Sequence, residues 1–460
     1  MFVAVLAAIS LSACRFVIPP RAPEPVSATG EALILWSGAV TPTSARVTAA
    51  WPRHLLLDSA TSPPVLLVDT SASMNTSQRV GSHLVSVGDS MRAPAEHAFH
   101  FDVDSLQPAT TYHYRLLQGE KEISGSDGRF RTFARGAHSF RVVMSGCAET
   151  GSRHPVFHSI VEESPDLFLH LGDLHYEDIV TPEIDRYRQA FASANASPEQ
   201  AGVYRSVPLA YMWDDHDYGP NNSSSAAVVQ ETARRAYRRY VPHYPLASGS
   251  DGPVHQRFDV GRVRFLLTDL RSARSRNDAP DTGAKTMLGA EQKAWFREEL
   301  AVAADKNVPV LVWVSSVPWI ANDPDELDRW SGFATEREQI AGWIDSLGLA
   351  DHMVIVSGDA HMVAFDNGTH NTYGPGDGIQ VPVVQAAALD RIGSKKGGPY
   401  TTGPFPNRFS LRGANDGQYV RMDVNDKGDA ICVTWTGRRW AYDDETMQNL
   451  FSTSKCFPVE

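Results

Sequence analysis

Two hydrophobic periodicities divide the chain. Over residues 30–135 apolar and polar positions alternate with the period of a strand. "EALILWSGAV" and "SARVTAAW" flank the turn "TPT", and "HAFHFDVDSLQPATTYHYRLLQG" continues the alternation. From residue 139 the pattern becomes short, wholly apolar runs: 140–144, 166–171, 207–213, 262–270, 308–314, 352–358 and 381–387. Amphipathic helical stretches at 228–244, 289–305 and 335–347 separate several of them. Buried strands alternating with helices predict a layered α/β domain over residues 136–460. The tail "GQYVRMDVNDKGDAICVTWTGRRW" returns to strands around an Asn-Asp-Lys-Gly turn and predicts a hairpin on the sheet edge.

The 30–135 segment reads as a small all-β sandwich domain preceding the α/β domain. Its Leu106-x-Pro108-x-Thr110-x-Tyr112 pattern resembles the E–F corner of fibronectin type III-like domains, with Tyr112 as the corner tyrosine. At the start, "MFVAVLAAISLSAC" is too short to span a membrane and reads as a signal segment, residues 1–14. Leu11-Ser12-Ala13-Cys14 resembles a bacterial lipobox, which implies lipidation of Cys14, although no Lys or Arg precedes the apolar run. Residues 15–29 then form a Pro-rich tether. The expectation is an exported bacterial protein, a periplasmic or cell-envelope lipoprotein, with simple secretion as the alternative.

Composition adds limits. At 460 residues, 42% hydrophobic and 21% charged, the chain is an ordinary globular one. A net charge of -12 argues against nucleic-acid recognition through a basic face, and it disfavours anionic substrates unless bound cations reverse the field locally. Of the four cysteines, Cys432 and Cys456 could pair in an exported protein. That leaves Cys147 either buried and inert or held by a metal.

The chemistry lies where the apolar runs stop. Four of them end in residues able to bind metal: Ser145-Gly146-Cys147, Gly172-Asp173-Leu174-His175-Tyr176, Asp214-Asp215-His216-Asp217, and Gly358-Asp359-Ala360-His361. Alone, each has a plain structural reading as a turn, a packed thiol or a solvated loop. Together, each after a strand, they converge on one crevice beyond the strand ends. Carboxylates gathered there repel one another, and bound cations are the simplest way to hold them.

In this order the motifs resemble the calcineurin-like metallophosphoesterases, specifically PhoD-type alkaline phosphatases, over roughly residues 30–440. Asp269-Leu270-Arg271-Ser272, Leu288-Gly289-x-Glu291-Gln292-x-x-Trp295 and Asp328-x-Trp330-x-Gly332-Phe333 fit the same resemblance. The chain departs from the general superfamily pattern in one direction. Cys147 stands for a histidine, Asp215 for an asparagine and Asp359 for a histidine, and no clear lone histidine lies near 313–319.

The resemblance implies a four-layer α/β sandwich with metals at the strand ends. The ligands would be Cys147, Asp173, Tyr176, Asp215, Asp359 and His361, with Asn222, or else Asn221, as a further oxygen donor. Thiolate and phenolate suit Fe(III), and the carboxylate-rich neighbouring position suits Ca2+. A Zn or Mn pair is the alternative. Asp173 would bridge and share the catalytic role with His216, which would face the phosphate or leaving group with Asp217 and Asp214 in support. His175 reads as structural, and Arg271 and Arg274 as phosphate ligands or surface residues.

The implied activity is hydrolysis of phosphate esters, monoesters and diesters, for extracellular phosphate scavenging. A dedicated phosphodiesterase acting on phospholipid or cell-wall polymer, and a non-catalytic surface-binding protein, are the alternatives. The expected partners are small-molecule or polymer phosphate esters, with membrane contact only through the N-terminal anchor. The expected state is a monomer.

Overall fold

The structure, a computed structural model, describes residues 32–52, 63–84, 96–323 and 325–459. The signal segment, Cys14 and the tether lie outside the described residues.

Two large mixed sheets face each other. The first runs in the order Thr446–Pro458, Ala430–Ala441, Gly417–Asp426, Phe140–Ser145, Leu167–His170, Leu209–Tyr211, Ile34–Gly38, Ala45–Pro52, Glu96–Val103, His83–Leu84. The second runs Gln256–Val260, Val263–Leu267, Val310–Ser315, Met353–Ser357, Val383–Ala386, Met362–Asp366, Thr402–Pro406. Phe140–Ser145, Leu167–His170 and Leu209–Tyr211 are mutually parallel, so their carboxyl ends share one edge. Val263–Leu267, Val310–Ser315, Met353–Ser357 and Val383–Ala386 are parallel in the second sheet.

The wholly apolar runs become strands because both of their faces are buried. Val310, Val312 and Val314 join the core between the sheets, while Leu311 and Trp313 point to the other side. There they meet Phe296 and Leu300 of the helix Gly289–Asp305, and Ile340 and Ile344 of the helix Ala334–Ser346. On the outer face of the first sheet, Phe157, Phe191, Tyr204 and Tyr237 come from four further helices. The order of layers is helix, sheet, sheet, helix. Each large apolar side chain so buried contributes roughly 1.5–3 kcal/mol.

The remaining N-terminal strands form a third sheet, Gln78–Gly81, Val65–Asp69, Thr111–Gln118 and Lys121–Glu122, with Gly128–Arg131 paired to Thr111–Gln118. The N-terminal β-segment does not stand apart from the α/β layers. Ile34–Gly38 pairs in parallel with Leu209–Tyr211 through Gly38 and Leu209, and one hydrophobic core runs through both. At the opposite edge Gly417–Asp426 and Ala430–Ala441 form the anticipated hairpin around the Asn-Asp-Lys-Gly turn, and Thr446–Pro458 adds a further strand, tied to Ala430–Ala441 by the Cys432–Cys456 disulfide.

Candidate metal centre

The strand ends deliver the candidate ligands to one point. Cys147 follows Phe140–Ser145, Asp173 and Tyr176 follow Leu167–His170, and Asp215 and His216 open the short helix Asp215–Tyr218 after Leu209–Tyr211. Asp359 and His361 come from the second sheet, after Met353–Ser357. Two glycines allow the approach. Gly172 has φ +102°, and a Cβ there would fall 2.6 Å from Asp214 Cβ. A Cβ on Gly358 would fall 2.8 Å from Ser316 O and 2.9 Å from Leu171 O, one from each sheet.

Five of the seven candidate ligands hold left-handed backbone: Cys147 (φ 57°), Asp173 (53°), Asn222 (61°), Asp359 (59°) and His361 (48°). Each such residue costs about 1–3 kcal/mol, so the surrounding packing must impose these conformations.

Three sets of potential ligand atoms lie within 4.8 Å of one another: Cys147, Asp173 and His361; Asp173, Asp215 and His216; Asp173, Asp214 and Asp359. Asp173 belongs to all three. Its Oδ2 accepts from the Tyr176 hydroxyl at 2.9 Å and lies 3.6 Å from Cys147 Sγ. The Tyr176 hydroxyl also lies 3.1 Å from His361 Nε2, and His361 Nδ1 is held by Ile392 O at 2.7 Å. Asp173 Oδ1, Asp215 Oδ1 and Asp214 Oδ2 are buried with no hydrogen-bond partner. Unpartnered buried carboxylate oxygens beside a thiol and a phenol are a donor set that fits cations.

The electrostatics agree. Burial, then Asp215 and Asp214, pushes Asp173 well above the usual carboxylate range. Burial raises Asp214 to about 8 against the pull of Arg271. Burial and the charge of Asp173 push up both the Cys147 thiol and the Tyr176 hydroxyl. Burial would raise Asp359 too, but Lys396, at 2.7 Å, and Arg329 hold it below its ordinary range. Burial, then Lys396, lowers His361 to about 4. Without cations most of these groups would keep their protons; a cation reverses that preference.

The supporting residues sort by what they touch. Asp217 accepts from three backbone amides, Leu174 at 2.7 Å, His175 at 3.2 Å and Asp214 at 3.1 Å. It thereby locks the Asp173 loop against the Asp215 helix. His216 Nδ1 is held by Asp178 at 2.7 Å, and its ring lies 4.1 Å from that of Tyr176. His175 is buried edge-on to Phe191, and burial lowers it to about 3. Asn222 presents its backbone amide to Asp215 Oδ2 at 2.6 Å, and its exposed side chain lines a cavity of about 380 Å³ with Asn221.

Arg271 and Arg274 are placed differently from the expectation. Both are fully buried. Arg271 is spent on Asp214 at 2.6 Å and on both oxygens of Asp328 at 2.9 and 3.0 Å, and Arg274 pairs with Asp328 at 2.9 Å. Neither guanidinium reaches the cleft, so the phosphate-binding and surface readings of both are corrected. Two carboxylates far apart in sequence, with the Ser223 carbonyl at 3.3 Å, leave Arg271 no free donor edge. The other shared motifs are scaffold as well. Gln292 binds Asp269 N and O at 2.7 Å each, and Trp330 Nε1 donates to Ser315 Oγ at 3.0 Å.

Three residues were missed: Lys396 on Asp359, Arg329 at 3.9 Å from the same carboxylate, and Arg391, whose guanidinium sits 3.9 Å from the Tyr176 ring centroid. Two of them were within reach of the strand-end rule, because "DRIGSKKGG" follows the apolar run at 381–387.

Residues 141–388 match the model of a family described as PhoD-like phosphatase. The chain is 25% identical over 332 residues to alkaline phosphatase D of Bacillus subtilis (strain 168), covering 60% of this chain and 56% of that protein. It is 20% identical over 246 residues to purple acid phosphatase 15 of Arabidopsis thaliana, covering 48% and 42%. The chain thus spans about half the length of the curated relatives it matches. Among solved structures it superposes on PhoD with a TM-score of 0.69 at 16% identity, over 93% of this chain and 94% of that one. It superposes on purple acid phosphatase PPD1 from yellow lupin seeds with a TM-score of 0.57 at 15% identity, over 95% and 75%. These two likenesses concern the fold.

Proposed function

Because the chain belongs to the PhoD-like phosphatase family, we propose that it is a metal-dependent phosphatase that hydrolyses phosphate esters at the Asp173 cluster. The observation that carries this is Asp173 itself, shared by three ligand sets with one oxygen unpartnered. The ester P–O bond breaks, water supplies the new oxygen on phosphorus, and the leaving alkoxide takes a proton to depart as an alcohol. Bound cations would draw in the phosphate oxygens and offset the charge that develops on them. Asp178 holds His216 Nδ1, which leaves Nε2 to bind phosphate or to pass a proton to the leaving oxygen. Asp217 and Arg271 hold the ligand loops.

Cys147, Tyr176, Asp173 and His361 would hold Fe(III), and Asp173, Asp215, Asp359 and Asn222 would hold Ca2+, with Zn or Mn as the alternative pair. The thiol and phenol, both pushed up by burial, support a hard, highly charged ion able to displace their protons. The N-terminal strands are read as a fibronectin type III-like scaffold. Tyr112 Oη accepting from Gln107 N at 2.8 Å supports a tyrosine corner. Export, Cys14 lipidation, a monomeric state and phosphate scavenging complete the proposal; loss of acyl labelling in Cys14→Ser tests the anchor.

The test of function is one assay series on metal-replete protein, covering an aryl monoester, an aryl diester and a phospholipid, with and without chelation. Chelator-sensitive turnover of at least one ester is expected. No turnover of any of them would sink the phosphatase reading.

A further inference from the structure

Among the described residues, six large apolar side chains are exposed: Val180, Val228, Leu327, Ile392, Phe409 and Leu411. All six lie on connections that cross the same carboxyl edge as the metal centre. Val180 follows Leu167–His170, Val228 follows Leu209–Tyr211, Leu327 follows Val310–Ser315, and Ile392 follows Val383–Ala386. Phe409 and Leu411 link Thr402–Pro406 to Gly417–Asp426. Singly scattered apolar residues are ordinary on a surface. Gathering at one mouth marks a site of contact.

Three of them form one lip. Ile392 is 60% exposed, Phe409 64% and Leu411 93%. Their two connections abut, since a Cβ on Gly393 would fall 2.0 Å from Asn407 O. Both connections are tied to His361, through Ile392 O at 2.7 Å and through Asn407 N at 3.1 Å. The lip also carries charge, most of it paired with carboxylates from neighbouring segments. Residues 391–412 hold Arg391, Lys395, Lys396, Arg408 and Arg412 and no acidic residue, in a chain of net charge -12. Arg391 and Lys396 lean inward on Tyr176 and Asp359, and Arg391 is also paired with Glu149. Arg408 and Arg412 are paired with Asp416 and Glu445, and Lys395 is exposed.

Exposed apolar side chains at the mouth of a phosphate-ester site, with the exposed Lys395 among them, match an amphiphile held phosphate inward and acyl chains outward. A small polar phosphate ester gains nothing from Phe409 or Leu411. We infer that this lip seats the acyl chains of lipid phosphate esters at a membrane surface, so that the substrates of the site are amphiphilic. The inference rests on the phosphatase reading above. In the monoester case, water cleaves the P–O bond of a phosphatidic acid to give diacylglycerol and inorganic phosphate.

The experiment uses the full chain carrying Cys14→Ser, so that no acyl anchor contributes. Co-sedimentation is measured with vesicles of phosphatidylglycerol and phosphatidylcholine. Turnover is compared for long-chain phosphatidic acid in those vesicles, glycerol 3-phosphate and p-nitrophenyl phosphate, for the parent and for F409S/L411S. The expected result is vesicle binding and a kcat/KM for phosphatidic acid at least about tenfold above that for glycerol 3-phosphate. Both fall about tenfold or more in F409S/L411S while p-nitrophenyl phosphate turnover is unchanged. Equal rates on long and short esters, or an unaffected double variant, would overturn the inference. So would a dimer that the double variant dissociates, because the lip would then serve a second copy of this chain. If no ester is cleaved at all, the phosphatase reading fails, and vesicle binding still decides what the lip does.

Discussion

The Tyr176 hydroxyl donates to Asp173 Oδ2 at 2.9 Å, while Asp173 Oδ1 is buried with no partner. Oδ2 stands on the side of Cys147 and Tyr176, and the same carboxylate also groups with Asp214, Asp215 and Asp359. Asp173→Asn keeps the shape and removes the charge. It should lower kcat by about 100-fold or more and reduce bound metal in elemental analysis, with an unchanged circular dichroism spectrum. Near-parental rates would remove Asp173 from the bridging position.

Cys147 and Tyr176 make the proposed iron visible. A thiolate and a phenolate on Fe(III) absorb visible light, so the metal-replete protein should be coloured. Cys147→Ser and Tyr176→Phe should each shift or bleach the band. A colourless, active protein containing only zinc would contradict the assignment of both residues.

Asp217 touches no candidate ligand atom but ties three amides together. In Asp217→Ala the N–H groups of Leu174, His175 and Asp214 lose their acceptor. At about 1–3 kcal/mol for each buried group left unpaired, the variant should lose roughly 3 kcal/mol or more in urea denaturation. Loss below about 1 kcal/mol would mean that water replaces the carboxylate.

The buried Arg271 makes a claim opposite to that of a substrate ligand. Arg271→Met leaves Asp214 and Asp328 without their countercharge and should cost about 3–5 kcal/mol. The residual enzyme should show KM close to the parent value. A stable variant whose KM rises tenfold would return Arg271 to the phosphate.

Burial lowers the His170 imidazole from 6.5 to about 3, and lowers His154 to about 4. Both are neutral in the fold and take up protons more readily when unfolded. Their contribution is therefore complete above pH 6.5 and declines as pH falls towards 4, by at most about 1.4 kcal/mol per pH unit for each group. Denaturation midpoints should drop over that window, and His170→Asn should reduce the slope. A slope unchanged by that substitution would show that other groups set the acid limit.

The site was legible where local pattern alone decides it. Doubly buried strands read as wholly apolar runs, so the run at 352–358 becomes Met353–Ser357 and the helical stretch at 289–305 becomes Gly289–Asp305. The ligands stand immediately after such runs. What stayed hidden depends on partners distant in the chain. Nothing near Arg271 announces that Asp214 and Asp328 will enclose it, and nothing near Ile34 announces a parallel pairing with Leu209–Tyr211. Lys396 lies 37 residues from Asp359, on a Gly-rich loop with no helical or strand period to follow.

Gly358 carries a consequence beyond its own loop. The centre draws Cys147, Asp173 and Asp215 from one sheet and Asp359 and His361 from the other, and at Gly358 the two backbones nearly touch. Ligand spacing across the site is therefore set by how closely the two sheets pack. A methyl group at 358, or a larger side chain in the valine layer between the sheets, would act as a wedge. It would alter the distance between Asp173 and Asp359 without touching either carboxylate.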